Sequence, residues 1–268
     1  MAESADLGIP DLAGVEEVLV RACGLSLGSG LGLALRGAVL DAAGSLGLGA
    51  AELVARLRAA EPAAIEALVE HSVVGETCFY RHPEQFAALQ RHLFVQPGPI
   101  RAWCAGCATG EEPYSLAVAL LEAGRRGAGD LVLGTDVSER ALERARRGAY
   151  GPWSLRRLPA ELLGRHFVVG TAEARAVAPP AREMVSFARH NLVADSPPGG
   201  PFDLVLCRNV LIYFAPAVAG EVLPRLLSAV RPGGFLALGP VELSLAASLA
   251  AERVEAFGAT LLRRPGNG

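Results

Sequence analysis

Residues 100–115, Ile-Arg-Ala-Trp-Cys-Ala-Gly-Cys-Ala-Thr-Gly-Glu-Glu-Pro-Tyr-Ser, decide the fold that this sequence predicts. A short apolar run ends in a loop of small residues, which leads into a helix that we predict from Glu111 to about Glu122. Glycine in such a loop lets the backbone approach a ligand closely, and the first turn of the helix offers free N–H groups. The stretch therefore predicts a strand–loop–helix unit with a nucleotide site at the loop.

The loop lacks the two common phosphate-binding patterns. It contains neither the G-x-G-x-x-G of dinucleotide sites nor the Gly-Lys-Ser/Thr of phosphate loops. Glu111 and Glu112 stand at the helix start, where they would repel a pyrophosphate. The two acids instead suit a ligand that carries positive charge, such as the sulfonium and amino groups of S-adenosylmethionine.

Composition narrows the class of protein. With 268 residues, 51% of them apolar, the chain can bury a sizeable core in one large or two smaller domains. The formal net charge of −3 argues against a nucleic-acid binder, which usually has a basic face. No run of eighteen apolar residues occurs and residues 1–10 do not resemble a signal peptide, so we expect a cytoplasmic protein without membrane insertion.

Cysteine spacing raises the question of a metal site. The five cysteines include Cys104-x-x-Cys107, which has the spacing of zinc ligands or of a redox pair. Neither a second such pair nor a matching histidine pair follows, and an odd count in a cytosolic chain favours free thiols. We therefore expect no metal and a structural role for these small side chains.

The order of predicted elements divides the chain into three parts. Residues 1–72 are predicted to form a small helical domain, which either binds a partner or merely covers the next domain. Residues 73–99 are predicted to be a linker or lid, and residues 100–268 alternate strand and helix. The alternation breaks at about 150–184, where we predict an inserted β-subdomain. The helices predicted in the first part include residues 31–43, 50–60 and 62–72.

A carboxylate follows the second predicted strand. This strand spans residues 131–135 and ends at Asp136, and Ser138 is a predicted N-cap of a helix over 139–147. In doubly wound nucleotide folds a carboxylate at this position binds the ribose hydroxyls. The alternative is that Asp136 is a turn or capping residue.

Five segments together resemble the chemotaxis receptor methyltransferases, the CheR family, over about residues 10–263. The segments are GETCFYR at 75–81, AGCATGEEPYSLA at 105–117, TDVSERALERARRGAY at 135–150, Asn191-Leu192, and FDLVLCRNVLIYF at 202–214. The resemblance implies methyl transfer from S-adenosylmethionine to glutamate side chains of chemoreceptors, with S-adenosylhomocysteine as product. It also implies an α/β fold: a small N-terminal helical domain, then a class I (Rossmann-like) methyltransferase domain whose seven-stranded sheet carries an inserted β-subdomain.

The resemblance implies a set of site residues as well. Thr77 and Arg81 would close over the methionine end of the cofactor, and Asp136 would accept the ribose hydroxyls. Arg81 and Tyr213 are our candidates for holding the acceptor carboxylate, which needs no general base because its reference pKa is about 4.3. The full set of implied cofactor contacts is Thr77, Arg81, Gly106 in the loop, Glu112 beside the cofactor, Asp136, Asn191 and Leu192 at the adenine, Arg208 and Asn209.

Two departures from the family pattern leave alternatives open. Gly75 stands where family members often have asparagine, so one cofactor hydrogen bond is expected to be missing. In well-known members a strongly basic helix docks on an acidic receptor, whereas residues 31–43 carry only Arg36, plus Asp41. We expect a monomer acting on the cytoplasmic helical domain of a chemoreceptor. The alternatives are a methyltransferase of the same family with a different protein or small-molecule substrate, and a cofactor-binding signalling module without catalysis.

Overall fold

The computed structural model describes residues 9–26, 32–170 and 173–266. The first four helices pack around one apolar cluster, in which Leu19, Val39, Leu53 and Leu68 are completely buried. These helices are α1 (Ile9–Cys23), α2 (Gly32–Ser45), α3 (Ala50–Arg58) and α4 (Pro62–Ser72). Helices α2, α3 and α4 match the three predicted helices to within two residues at each end, and the predicted first residue of α2, Leu31, lies outside the described residues.

Part of the predicted linker is helical. Helix α5 (Pro83–Leu89) continues into a π-helical turn at Gln90–Phe94. Phe86, Leu89 and Leu93 follow one another at helical spacing, and all three pack into the same core cluster as the first strand. Residues 83–94 thus belong to the core of the sheet domain.

A seven-stranded sheet forms the centre of the molecule. In chain order the strands are β1 (Arg101–Ala105), β2 (Leu131–Asp136), β3 (Ala149–Tyr150), β4 (Phe167–Val169), β5 (Arg175–Val177), β6 (Val185–Arg189), β7 (Phe202–Cys207), β8 (Val230–Leu238), β9 (Glu252–Ala256) and β10 (Ala259–Arg263). The large sheet has the order β6-β2-β1-β7-β8-β10-β9; its first five strands are parallel, and the two strands of the C-terminal hairpin are antiparallel.

Helices cover both faces of this sheet. The remaining helices are α6 (Glu111–Glu122), α7 (Glu139–Arg147), α8 (Pro152–Leu155), α9 (Ala160–His166), α10 (Pro179–Arg182) and α11 (Pro216–Ala229), with 3-10 turns at Leu211–Tyr213 and Pro240–Ser244. Strand β1 shows the layering, because alternate residues of a strand point to opposite faces. Cys104 packs in one core cluster with Leu116 of α6, whereas Trp103 packs in the other with Leu226 of α11. This is the predicted α/β fold.

The inserted segment between α7 and β6 has its own small sheet. Strands β3, β5 and β4 pair in that order, all antiparallel. Phe79, which precedes α5, packs edge-on against both Tyr150 and Phe167 of this segment, at ring-centre distances of 4.8 and 5.1 Å. The insertion is therefore held against the predicted lid by aromatic packing.

Strand β8 corrects one expectation from the sequence. A Gly-Gly pair such as Gly233-Gly234 is typical of a turn, and the sequence by itself predicts a turn here before a strand at 235–239, but β8 runs through both glycines. Gly233 has φ +76°, and the register against β7 shifts between Phe202 and Leu204, so the glycines form a bulge within the strand. A Cβ on Gly234 would lie 2.7 Å from the Asp203 carbonyl oxygen, so the close approach requires glycine.

The N-terminal helices join the sheet domain through the chain that leaves α1. Leu25 forms a β-bridge with Phe214, and the amide of Ser26 donates to the Tyr213 carbonyl at 2.8 Å. A Cβ on Gly24 would lie 2.9 Å from the Phe214 ring, so only glycine allows this contact. The join brings the end of α1 to the carboxyl ends of the parallel strands.

No single described helix is both long and apolar enough to cross a bilayer. Of these helices, only α2 and α3 taken together, with a bend of 94° between them, reach the length and apolar composition of a membrane span.

Candidate functional site

One cleft lies at the carboxyl ends of β1, β2, β6 and β7, where open α/β sheets bind ligands. It encloses about 970 Å³, its open mouth included. The residues predicted for the site all line this cleft: Thr77, Arg81, Gly106, Glu112, Asp136, Asn191, Leu192, Arg208, Asn209 and Tyr213. The fold thus brings together side chains that are far apart in sequence, and their roles toward a ligand stay predictions.

The loop after β1 is fixed by backbone contacts. The amides of Gly106 and Cys107 both donate to the Thr135 carbonyl, at 2.8 and 2.9 Å. Gly106 has φ +74°, and a Cβ there would lie 2.6 Å from a methyl group of Val210. Glycine is therefore required at this position by packing against the chain after β7, and the loop has a single defined course over the cleft.

Asp136 lies where both interpretations from the sequence placed it. Its carboxylate accepts hydrogen bonds from the amides of Ala108, at 2.8 Å, and Ser138, at 3.0 Å, so it is a turn acceptor. It also lines the cleft, and its carboxylate has further lone pairs for a ligand's donors. Burial raises the pKa of this carboxyl, and the amide donors oppose that rise.

The two acids at the start of α6 have different environments. Glu112 lines the cleft and pairs with Arg208, with Nε 2.5 Å from Oε2. Glu111 is 2% exposed, is absent from the cleft lining, and accepts hydrogen bonds from the hydroxyls of Thr109 and Ser154, each at 2.7 Å. Burial raises the pKa of the Glu111 carboxyl, which those hydroxyls partly offset. The expectation that both acids set the charge of the ligand site was wrong for Glu111.

The Arg208 guanidinium is held by contacts within the protein. Besides Glu112, its guanidinium donates to the Arg81 carbonyl and to Gln85 Oε1, both at 2.8 Å, and it lies over the Phe86 ring. Gln85 is buried and in turn donates to the Leu238 carbonyl at 2.7 Å. Because the Arg208 charge is matched by Glu112, this arginine does not provide a phosphate site.

A buried carboxylate that the sequence analysis missed shapes the chain after β7. Glu242 is fully buried and accepts from the amides of Gly239, Asn209, Val210 and Leu211, at 2.7–2.8 Å. Asn209 is thereby held at φ 60°, in the left-handed region, and its Oδ1 is buried without a hydrogen-bond partner in the described part of the chain. The sequence signal was an acid isolated in the apolar stretch Gly-Pro-Val-Glu-Leu.

Asn191 and Leu192 occupy the opposite wall. The Asn191 side chain donates to the Ala22 carbonyl at 2.6 Å and accepts from the Val193 amide at 2.9 Å, so it ties the wall to α1. Leu192 is nearly buried in the core cluster with α11. Asn191 therefore fixes the position of this wall, and Leu192 contributes an apolar side chain to it.

The predicted catalytic residues lie at the mouth. Arg81 is half-buried and donates from Nη1 to the Glu76 carbonyl at 3.3 Å. Its neighbours Tyr80 and His82 have φ 53° and 62°, a conformation that costs about 1–2 kcal/mol for each such residue. Tyr213 lines the cleft and is half-buried. Strain of this kind is typical of functional loops, so it supports a role for Arg81.

Thiols form part of the cleft wall. Cys23 lines the cleft beside Leu25, and burial raises its pKa to about 11. Burial likewise raises the pKa of Cys104, Cys107 and Cys207 well above the ordinary value. These thiols are neutral at physiological pH, and the described residues contain no group of three or more His, Cys, Asp or Glu suited to a metal.

The donors and acceptors of the cleft fit S-adenosylmethionine. Asp136 and the unpartnered Oδ1 of Asn209 suit hydroxyl and ammonium donors, and the guanidinium of Arg81 suits a carboxylate. The apolar wall of Leu25, Val137 and Leu192 suits a planar base.

Comparison with known proteins agrees with this chemistry. Residues 75–254, more than half of the chain, match the family described as CheR methyltransferase, SAM binding domain. A probable biofilm formation methyltransferase, WspC of Pseudomonas aeruginosa, is 40% identical over 69% of this chain and 45% of its own length. The chain thus spans about half of that relative.

Two further relatives match more of the chain. Chemotaxis protein methyltransferase Cher2 of Pseudomonas putida is 34% identical, and chemotaxis protein methyltransferase 1 of Pseudomonas aeruginosa is 33% identical. Each alignment covers 84% of this chain and 86% of the relative. The match to the family, these two alignments and the cleft lead to one conclusion: the chain belongs to the CheR methyltransferase family and carries its SAM-binding domain.

Proposed function

We propose that this chain is a protein-glutamate O-methyltransferase that acts on the cytoplasmic helical domain of a chemoreceptor. The observation that carries the proposal is the single cleft in which Arg81, Glu112, Asp136, Asn209 and Tyr213 meet. The names of two relatives, both chemotaxis protein methyltransferases, support the choice of substrate. A cytoplasmic location and a monomeric state follow as parts of the same proposal.

Each side of the cleft has a binding role in this proposal. Bound S-adenosylmethionine supplies an electrophilic methyl group on a sulfonium. Asp136 and Asn209 accept hydrogen bonds from its hydroxyl and ammonium groups, and Glu112 supplies negative charge nearby. Glu112 keeps this position because Arg208 holds one of its oxygens, and Thr77 and Arg81 cover the cofactor from the lid.

The acceptor glutamate needs alignment more than activation. Its carboxylate is ionised at neutral pH, since its reference pKa is about 4.3, so no side chain has to remove a proton. Arg81 and Tyr213 hold it by hydrogen bonds from the guanidinium and the phenol, and its transfer from water into the cleft removes part of its hydration. The enzyme thereby aligns the carboxylate oxygen with the methyl–sulfur bond, so that the methyl group is transferred by in-line displacement.

The division of labour along the chain is part of the proposal. The helical domain over 1–72 covers one side of the cleft, to which it contributes Cys23 and Leu25. Residues 73–99 form the lid and its anchor, and 100–268 with the insertion at about 150–184 carry the chemistry. Residues 83–94 serve as the anchor, because they pack into the sheet core.

The test combines the purified protein, methyl-labelled S-adenosylmethionine and membranes that contain the host's chemoreceptors. We expect base-labile label in receptor bands, lost when the acceptor glutamates of the receptor are changed to alanine. Cofactor binding by calorimetry without receptor label would contradict the receptor as substrate. If the protein neither transfers label nor binds the cofactor, the proposal that it is an enzyme is contradicted.

A second candidate is the same chemistry on a different protein. Helix α2 favours it, because its exposed positions include Leu33, Leu40 and Asp41, and Arg36 is its one cation. The 40% identity to a probable biofilm formation methyltransferase points the same way. Label in a cytosolic protein, and none in receptors, would favour this candidate.

A further inference from the structure

An exposed aromatic–arginine pair lies beside the mouth of the cleft. Trp153 of α8 is 66% exposed, and the Arg156 guanidinium lies 4.1 Å from the centre of its indole ring. Arg156 also donates to the Trp153 carbonyl at 2.6 Å, which fixes the stacked arrangement. Tryptophan and arginine are among the residue types most enriched in the dominant contacts of protein interfaces. We call Trp153, Arg156 and the adjacent exposed Arg157 the α8 patch.

The α8 patch is attached to the rim of the cleft. Arg156 pairs with Glu76 at 2.8 Å, and Glu76 itself lines the cleft. The Ser154 carbonyl accepts from the Phe79 amide of the lid at 2.9 Å, and the Ser154 hydroxyl bonds to Glu111 at the start of α6. A partner held on this patch would therefore lie next to the opening through which an acceptor side chain must enter.

The charge of the patch indicates an acidic partner, because Arg157 is exposed and has no ion pair in the described part of the chain, whereas the Arg156 charge is partly matched by Glu76. Of the five N–H donors of Arg156, two bond within the protein, and the other three have no partner in the described part of the chain. A guanidinium matches the geometry of carboxylates, and the exposed indole face suits the aliphatic stems of glutamate side chains. Helix α2, by contrast, offers a single arginine and an exposed aspartate.

We propose that the α8 patch docks an acidic helical segment of the protein substrate and so presents its glutamates to the cleft. This rests on the proposed function, because a glutamate acceptor is assumed. Docking here deepens that function by assigning partner recognition to the inserted segment and the lid.

Tryptophan fluorescence tests docking without any chemistry. The chain has two tryptophans, of which Trp103 is 1% exposed, so acrylamide quenching reports on Trp153. The probe is a synthetic helical peptide rich in glutamate, with a glutamine-rich peptide of the same length as control. We expect the glutamate peptide, and not the control, to protect Trp153 from acrylamide.

Three variants locate the interaction. In calorimetry, Trp153→Ala is expected to weaken binding of the glutamate peptide about tenfold. Arg156→Lys keeps the charge but loses the planar group, so about threefold is expected. Arg165→Ala is the matched control, since it removes an exposed arginine paired with Glu122 on the neighbouring helix, and it should have no effect. Unchanged cofactor affinity in all three variants shows that the fold is intact.

The outcomes separate docking from the proposed chemistry. Unprotected Trp153 together with unchanged peptide affinity in Trp153→Ala overturns the docking proposal, even if the peptide becomes methylated. If the peptide protects Trp153 and Trp153→Ala weakens its binding, docking is supported. If neither the peptide nor the receptors then acquire base-labile label, glutamate as the methyl acceptor is overturned.

Discussion

The floor and the roof of the cleft are built in different ways. The floor, residues 208–211, is held by hydrogen bonds from its backbone amides to the fully buried Glu242 and by the ion pair of Arg208 with Glu112. The roof, residues 74–81, begins with Val74, Gly75 and Glu76, all exposed. Its side-chain contacts at this end are the Arg156–Glu76 pair and the bond from Arg81 to the Glu76 carbonyl.

The difference separates two tasks. Buried, fully bonded groups open only at a large free-energy cost, whereas exposed segments with few buried contacts open locally at a small one. The floor can therefore hold donors and acceptors in one geometry, and the exposed start of the roof, residues 74–76, can open to admit ligand and close over it while Phe79 stays buried. We expect changes in the floor to lower stability and changes in the roof to alter binding.

Breaking the floor should have the largest effect. Glu242→Leu leaves the amides that it accepts from without a partner in a buried site, and we expect a loss of about 3 kcal/mol or more in the free energy of unfolding. Urea unfolding followed by circular dichroism measures it. Glu252→Leu, at an exposed position of β9, is the control and should change stability little. A loss below about 1 kcal/mol for Glu242→Leu would contradict the clamp.

Breaking the roof should change binding at constant stability. Arg81→Ala removes a charge-assisted contact with the ligand, and we expect cofactor affinity to fall about 10- to 150-fold, because hydrogen bonds to charged groups contribute about 1.5–3 kcal/mol. Calorimetry measures the affinity, and urea unfolding should show no difference beyond about 0.5 kcal/mol. Arg91→Ala, at an exposed position away from the cleft, serves as control. If Arg81→Ala leaves both cofactor affinity and turnover unchanged, its assignment is wrong.

Glu111 joins the loop after β1 to helix α8, and the pH dependence of stability should reveal its burial. Its folded-state pKa is raised above the ordinary 4.5, so the folded state binds its proton more tightly than the unfolded state. The contribution of Glu111 to stability is therefore complete below about pH 4.5 and declines as pH rises through the folded pKa. Glu111→Gln lacks this decline, so its stability relative to the unchanged chain should improve between about pH 4.5 and 7. Urea unfolding at several pH values measures it, and relative stability that falls over this range would contradict the raised pKa.

Adding a hydrogen-bonding group to the roof should have the smallest effect, a modest gain in cofactor affinity. A Cβ on Gly75 would meet no heavy atom within 4 Å, and the φ of this residue is not positive, so Gly75→Asn fits without strain. The added amide restores the residue often found in the family, and one hydrogen bond of about 1 kcal/mol would tighten cofactor binding about fivefold. Gly75→Ala is the control, and equal affinities for the two variants would show that the amide makes no contact.

Elements with strong local signals were predicted well. Helix α4 begins at Pro62, and helix α7 follows Ser138, whose hydroxyl accepts from the Ala141 amide as predicted for an N-cap. Helices α6 and α7 have the predicted bounds. In each case the start residue and the hydrophobic period lie within one short window, so tertiary contacts did not have to decide the element.

Non-local contacts explain what was missed. The bulge in β8 depends on its register against β7, and the helical segment at 83–94 depends on packing against the sheet. Gln85 and Glu242 bond to residues that are distant in the chain, so the local sequence does not identify their partners, although an isolated acid in an apolar stretch marks Glu242 as unusual. Side chains at adjacent helix positions point about 100° apart, so Glu111 is buried against Ser154 whereas Glu112 faces the cleft and Arg208.

The sequence by itself determined the strand–loop–helix unit, the α/β fold and ten of the residues that line the cleft, because these depend on local patterns and on a resemblance carried by contiguous motifs. Only the tertiary structure decided which acid faces the cleft, which buried carboxylate fixes the floor, and that an exposed tryptophan and arginine stand at its mouth. These follow from burial and from pairing between distant segments, which a linear pattern does not contain.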